Sequence, residues 1–556
     1  MLPLPLRHAL NASALAGAIA APLLTPLAAF AQTLPDAAAV SRFTQELLDR
    51  ENITPQGPGL AVLVARGDQL LVQTARGAAS LELGVPLGPE QRFRLGSVTK
   101  QFAAALLLKL VDEGRASLND PLSKYLPQYP NGQAITLTML LNHTGGMKSY
   151  TGIAGYMGNP VRRDLSTAEL VKEFQDQPVD FAPGSAWAYN NSGYVLVGAV
   201  IEAITGKPWW EGLNALKTPV FYPAPERLVP GHVAGYTRGE GGKFAPAGLI
   251  SMSQPHAAGA LVGDLQSLWR WNQLLHEGAF LKPASYQRMT TPEGAAVASK
   301  YGYGVFVDSL RGERLIQHGG AIHGFNSMLQ YLPAQRITVA LLRNADGGMN
   351  LDAIARQLAA FAAGKPFPKP ATVTLAPAQL KAFEGVYGLG KDSRRLRVVD
   401  GALTSQRNGG AVQPLAAVGP ARFVATSGPA QIAFERDAEQ KVSGLRFFAE
   451  GDGEGELWTR SGDLPQRADL ALSEAQKQAL LGEYLSPQFR IKIYLGEQGQ
   501  LMGQAPGQPA LVLKAAGPRE LYTTTVDATL LFEPADGQAA SATLVQGPAR
   551  IKMQRQ

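Results

Sequence analysis

Two stretches near the end of this chain copy each other, and the duplication constrains the architecture more than any single motif does. Leu375-Ala376-Pro377-Ala378-Gln379, followed by Ala382, Phe383, Gly385 and Tyr387, returns 97 residues later as Leu472-Ser473-Glu474-Ala475-Gln476, followed by Ala479, Leu480, Gly482 and Tyr484. With one more residue inserted, Leu403 matches Leu501 and Phe434-Glu435 matches Phe532-Glu533. A repeat of this length means two similar domains, expected over residues 371–463 and 468–556. Short alternating runs separated by turns, such as 396–399 and 489–494, are the pattern of a small all-β barrel or sandwich. Neither copy gathers Ser, His, Lys and carboxylates in a catalytic arrangement, which leaves structural, gating or small-ligand-binding roles.

Before the repeats, Gly364-Lys365-Pro366-Phe367-Pro368-Lys369-Pro370 can hardly be helix or sheet and reads as a linker. Residues 36–51 form an amphipathic pattern with Val40, Phe43, Leu47 and Leu48 on one helical face. Two β-rich runs follow, 60–65 and 69–74, turned through Arg66-Gly67-Asp68. Helical stretches are expected at 137–141, 167–175, 192–204 and 265–276, within loops rich in glycine and proline. Strands return at 303–308, 314–318, 327–332 and 337–342, and a helix over 351–362, capped by Asn350, closes the region. Two early strands, a long helical insertion, four late strands and a last helix make one α/β unit, expected over residues 32–365.

Residues 1–31 carry Arg7, an apolar run over 14–29 and then Ala29-Phe30-Ala31, the pattern of a cleavable secretory signal. Pro22 and Pro26 make the segment a poor membrane span. The expected location is therefore periplasmic or secreted, with no membrane span once the signal is removed. The chain has no cysteine, so disulfides, thiolate catalysis and thiolate-held metals are excluded. A formal net charge of +6 over 556 residues, with no basic run interleaved with aromatics, gives no sign of a nucleic-acid partner.

The chemistry centres on Arg94-Leu95-Gly96-Ser97-Val98-Thr99-Lys100, which leads into a nearly continuous apolar run over 102–111. Ser97 stands as a helix N-cap, Gly114 as the stop, and Lys100 lies one turn above the serine hydroxyl. A serine becomes a nucleophile when a neighbouring base takes its proton, and burial of the helix would leave Lys100 neutral enough to be that base. Alone, the spacing equally suits a capping serine with a solvated lysine. Two further segments fit a serine nucleophile. Tyr189 and Asn191 precede a helix: a tyrosine beside a lysine can have a lowered pKa, and an asparagine offers a donor and an acceptor to an amide. His318-Gly319-Gly320-Ala321 leaves a late strand, where glycines admit a substrate close to backbone and a free N–H can serve an oxyanion.

In order and spacing, Ser-x-x-Lys, Tyr-x-Asn and His-x-Gly resemble the three motifs of the penicillin-recognising serine hydrolases, closest to the class C β-lactamase-like branch with its D-aminopeptidases. The resemblance covers residues 36–363 and includes Leu141-Asn142-His143-Thr144-Gly145-Gly146 and Gly259-Ala260-Leu261-Val262 before Trp271. It implies a β-lactamase-like fold, an antiparallel sheet flanked by helices plus a helical region, with the site between them. It also implies Ser97 as the acylated nucleophile, Lys100 and Tyr189 sharing proton transfer, and Asn191 holding Lys100 and the substrate amide. His318, Gly320 and Ala321 would bind substrate, with an oxyanion hole from the Ser97 and Ala321 N–H groups. The implied function is a peptidase or amidase on short, D-residue-containing peptides; an esterase, a β-lactamase, and a penicillin- or peptide-binding protein without turnover are the alternatives. His318 departs from the lysine usual in β-lactamases. No cofactor or metal is expected, and oligomeric state stays open.

Overall fold

The computed structural model describes residues 34–216, 220–223, 228–238, 243–278, 280–410, 412–426, 428–465, 467–486, 489–505, 510–523, 528–546 and 549–556. The expected signal, residues 1–31, lies outside the described residues. Among the described residues, no helix is long and apolar enough to cross a membrane.

A six-stranded antiparallel sheet organises the first part. Its strands are β1 (Leu60–Arg66), β2 (Gln69–Arg76), β3 (Phe306–Leu310), β4 (Glu313–Ile322), β5 (Phe325–Leu332) and β6 (Ile337–Arg343), in the order β2-β1-β6-β5-β4-β3. β1 pairs with β6 from Leu60 opposite Arg343 to Arg66 opposite Ile337, so the early and late strands form one sheet around the helical insertion. Side chains alternate across a strand, and each set finds its own core. Leu60, Val62 and Val64 pack with Val339 and Leu341 against helix α1 (Ala37–Arg50) and the closing helix Leu351–Ala362. Ala61, Leu63 and Ala65 face the helical region on the other side.

The centre of that region is α2 (Thr99–Asp112), whose residues Thr99 to Leu108 are all buried. Beside it runs α3 (Asn191–Thr205), buried continuously from Ser192 to Ile201. Helices buried on most sides match the nearly unbroken apolar runs that code for them.

Two boundaries differ from expectation for physical reasons. The first late strand begins at Phe306, because Gly302 N–H donates to Val305 O at 2.8 Å and turns the chain first. The second, β4, does not stop at His318 but continues through the glycines to Ile322, paired with β5 throughout. Gly319, Gly320 and Ala321 are thus strand residues, not a turn.

After the linker come two closed eight-stranded barrels, running from Gly385–Leu389 to Glu456–Gly462 and from Gly482–Leu485 to Ala549–Arg555. The repeat survives in atomic detail: Tyr387 donates to Phe383 O at 2.9 Å and Tyr484 to Leu480 O at 2.8 Å, each phenol buried. The first barrel also grips the sheet. Arg311, in the turn between β3 and β4, ion-pairs with Asp452, and its backbone N–H donates to Glu450 Oε2 at 2.8 Å.

Candidate active site

Ser97 lies in a tight turn, Gly96–Val98, that precedes α2. The expected capping role is not found, for the start of α2 has no side-chain cap bond. Gly96 takes a φ of +52°, which bends the chain so that the Ser97 hydroxyl faces across the turn instead of down onto the helix N–H groups. There Lys100 Nζ lies 3.1 Å from Ser97 Oγ.

Lys100 is 0% exposed, and its Nζ also reaches Asn191 Oδ1 at 2.9 Å and Ala258 O at 2.8 Å. Burial drives its pKa well below that of a free lysine, and among the described residues no carboxylate ion-pairs with it to oppose the shift. A neutral amine has two N–H groups and one lone pair. Both carbonyl oxygens can only accept, so they take the two hydrogens, and the lone pair is left for the Ser97 proton. The arrangement can deprotonate the serine.

Asn191 is held so that its oxygen faces the lysine. Asn190 caps α3 by accepting from Gly193 N–H at 3.0 Å, and Asn191 Nδ2 donates to Thr151 Oγ1 at 3.0 Å. Tyr189 stands half-buried beside both, with Lys100 Nζ 4.7 Å from its ring centre and its hydroxyl hydrogen-bonded to Ser97. Here the expected lowered pKa is overturned: burial raises the phenol well above its ordinary value, and the hydrogen bond to Ser97 offsets this only in part. Tyr189 is a proton donor.

β4 supplies the opposite wall. Its pairing with β3 ends at Gln317 opposite Phe306, so the outer edge from His318 onward carries no strand. Ile322 and Phe325 close a two-residue hairpin, and hydrogen-bonding alternates from such a closing pair, so Gly320 bonds inward to β5 while Ala321 directs its N–H to the open edge. The Ser97 turn fills that edge at close range. A Cβ on Gly320 would stand 2.0 Å from Leu95 O and 3.0 Å from Ser97 N, and one on Gly96 would stand 2.9 Å from Ala321 N. Only glycine fits at 320, and the backbone nitrogens of Ser97 and Ala321 lie at this junction of turn and strand.

His318 is 2% exposed. Its Nδ1 lies 2.6 Å from Gly319 O, which can only accept, so Nδ1 carries the hydrogen and Nε2 accepts from the Tyr301 hydroxyl at 3.1 Å. Burial lowers the ring's pKa to about 3, and the imidazole is neutral with both nitrogens engaged. Two cavities meet at the serine. One, of about 780 Å³, runs along β4 past Tyr189 and His318; the other, of about 310 Å³, is mostly apolar and ends at His323 and Asp346. Neither is lined by Arg or by a lysine. Asp346 Oδ2 accepts from Gly324 N–H at 2.8 Å and carries no ion pair among the described residues.

Every expected site residue therefore comes together around Ser97. Sequence reasoning missed Tyr301, whose hydroxyl donates to His318 Nε2, and Ser327, whose hydroxyl donates to Leu95 O at 2.7 Å and ties the serine turn to β5. It also missed Thr99, whose Oγ1 accepts from Leu261 N–H at 3.1 Å and joins the two quoted segments. Tyr301 and Ser327 belong to no local motif, and only long-range packing could have found them.

Comparison with known proteins identifies a family and a fold. Residues 40–364 match the family described as Beta-lactamase. A D-aminopeptidase of Brucella melitensis biotype 2 is 25% identical over 483 residues, 83% of this chain and 87% of that one. A protein of Bacillus subtilis (strain 168), named as penicillin-binding protein PbpX, is 28% identical over 300 residues, 53% of this chain and 72% of that one. The octameric penicillin-binding protein homologue from Pyrococcus abyssi superimposes with a TM-score of 0.54 at 22% identity, over 76% of this chain and all of its own, a likeness of fold.

Proposed function

The chain belongs to the beta-lactamase family, and from that premise we propose that it is a serine hydrolase working through an acyl-Ser97 intermediate on short peptides or amides with a free amino group. The observation that carries the reading is the buried Lys100 amine, whose two hydrogens are committed to Asn191 Oδ1 and Ala258 O. Its lone pair takes the Ser97 proton as Oγ attacks the substrate carbonyl. The oxyanion that forms is stabilised by the Ser97 and Ala321 N–H groups. On collapse the C–N bond breaks, the leaving amine receives a proton through the Tyr189 hydroxyl, and Lys100 returns one to Tyr189. Water then attacks the acyl-serine, again losing its proton to Lys100; the C–Oγ bond breaks, Lys100 returns that proton to Oγ, and the acid leaves with Ser97 and the amine restored.

Substrate choice follows from charge. A β-lactam presents a carboxylate, and the two cavities offer it no Arg or Lys, while His318 is neutral and fully engaged. An ammonium has a partner in Asp346, at the end of an apolar cavity that would take a side chain. A D-aminopeptidase relative that aligns with 83% of this chain favours the same substrate class, with D stereochemistry. Residues 1–31 would export the enzyme to where cell-wall peptides are found.

Intact mass after a fluorophosphonate, for wild type beside Ser97→Ala, tests the nucleophile: one adduct is expected on wild type and none on the variant. Turnover of D-aminoacyl amides, their N-acetylated forms, esters and a cephalosporin then ranks substrates, with the free D-aminoacyl amide fastest. Adduct formation with ester turnover alone would retain the hydrolase and overturn the peptidase. Protein recovered from the periplasm with Gln32 at its N-terminus is the outcome expected for export.

A further inference from the structure

The short connection between the barrels crosses a cleft of about 730 Å³, walled by the first barrel's strand Asp392–Val399 and the second's strand Glu520–Thr523. Five cationic side chains line it against two carboxylates. Both carboxylates are occupied: Asp463 pairs with Arg460 at 2.6 Å, and Glu384 Oε1 accepts from Val398 N–H at 2.8 Å. Lys381, Arg397 and Arg467 are left without an ion-paired carboxylate among the described residues. Arg467 is held in place, lying 5.2 Å over the Tyr522 ring and donating to Thr529 Oγ1 at 2.7 Å.

The barrel fold does not require this charge. Leu396 points into the first barrel at 0% exposure, so its neighbour Arg397 projects outward, where the fold tolerates any polar residue. At the matching places of the second copy, 97 residues on, Arg397 becomes Tyr494 and Lys381 becomes Gln478. Arg395, by contrast, becomes Lys492, so Lys381 and Arg397 are the lining cations that belong to the cleft and not to the repeat. Like charges gathered in a concave place repel one another, and an anion that bridges them relieves the repulsion while guanidinium groups pair with its oxygens two at a time.

We infer that the cleft between the barrels binds a small ligand bearing at least two phosphate or carboxylate groups, separately from hydrolysis at Ser97. Titration calorimetry of the full chain with pyrophosphate and with tricarballylate, at low and at physiological salt, tests it. Salt-sensitive binding of either anion is expected, and whichever binds more tightly assigns phosphate or carboxylate. Arg397→Gln with Lys381→Gln should weaken it at least about tenfold, and Arg397→Gln alone by a smaller factor. Arg446→Gln, which removes a surface pair with Glu435, should leave it unchanged. Thermal unfolding at the wild-type midpoint checks that the variants are folded, and the single variant serves if the double one is not. Heat from neither anion, or equal affinity in wild type and in the folded variants, overturns the proposal.

Discussion

Lys100 Nζ and Ser97 Oγ lie 3.1 Å apart, with the lysine fully buried and, among the described residues, no ion-paired carboxylate beside it. On the proposed mechanism this pair sets how activity depends on pH. The reactive form is the neutral amine, so kcat/KM rises as pH rises through the lowered Lys100 pKa and is lost as the amine protonates below it. Lys100→Met should cut acylation by a fluorophosphonate by about 10²- to 10⁴-fold, the range for a positioned general base. Stopped-time mass spectrometry reads the rate, and a variant acylated as fast as wild type would remove Lys100 from the mechanism.

Asn191→Asp changes one atom and reverses the electrostatics. A carboxylate in the place of the oxygen now 2.9 Å from Nζ favours the ammonium and raises the Lys100 pKa. The acidic limb of the kcat/KM profile should move to higher pH, with activity at neutral pH falling accordingly. A limb that stays in place would mean that another group titrates.

Gly320→Ala adds a methyl group where Leu95 O would stand 2.0 Å and Ser327 Oγ 2.4 Å away. The serine turn must back away from β4, displacing the Ser97 and Ala321 N–H groups proposed to hold the oxyanion. Loss of one such donor costs about 10²- to 10³-fold in kcat, so a fall of that size with little change in KM is expected. Circular dichroism should show the fold intact. Full activity would place the oxyanion elsewhere.

Acid should weaken the fold through its buried histidines. Burial lowers His276 and His318 to about 3, against an ordinary value of 6.5. Between those values the unfolded chain binds more protons than the folded one, so stability is full above about pH 6.5 and falls as pH drops toward 3. Each histidine adds at most about 1.4 kcal/mol per pH unit within that window. In His276→Gln, the difference in urea-derived stability between pH 7 and pH 5 should shrink by roughly 2 kcal/mol at most. An unchanged difference would show that His276 does not titrate in this range.

The parts of the fold readable in advance were those that local pattern determines. Val40, Phe43, Leu47 and Leu48 fall at helical spacing and are the buried face of α1; the repeat around Tyr387 and Tyr484 predicted two like domains, and two barrels stand there. The errors lie where tertiary contact overrides local preference. Ser97 has a capping residue's identity, but its hydroxyl goes to Lys100; Gly319 and Gly320 have a turn's composition, but pairing with β5 carries them as strand. The Tyr189 pKa departs from expectation for a related reason: the burial that lowers the lysine's pKa also raises that of the phenol.

The grip of Arg311 on Glu450 and Asp452 has a consequence for how such a chain can change over generations. β4 ends at one extremity in that grip and at the other in the backbone that meets Ser97. A descendant that lost the barrels by truncation after the linker would strip this guanidinium of its carboxylate partner, leaving it on Lys365 O and the Phe367 ring. Its first compensating substitutions would therefore fall in the β3–β4 turn, far in sequence from the missing domains. Barrel-less relatives should differ from this chain at Arg311 before they differ at Gly320.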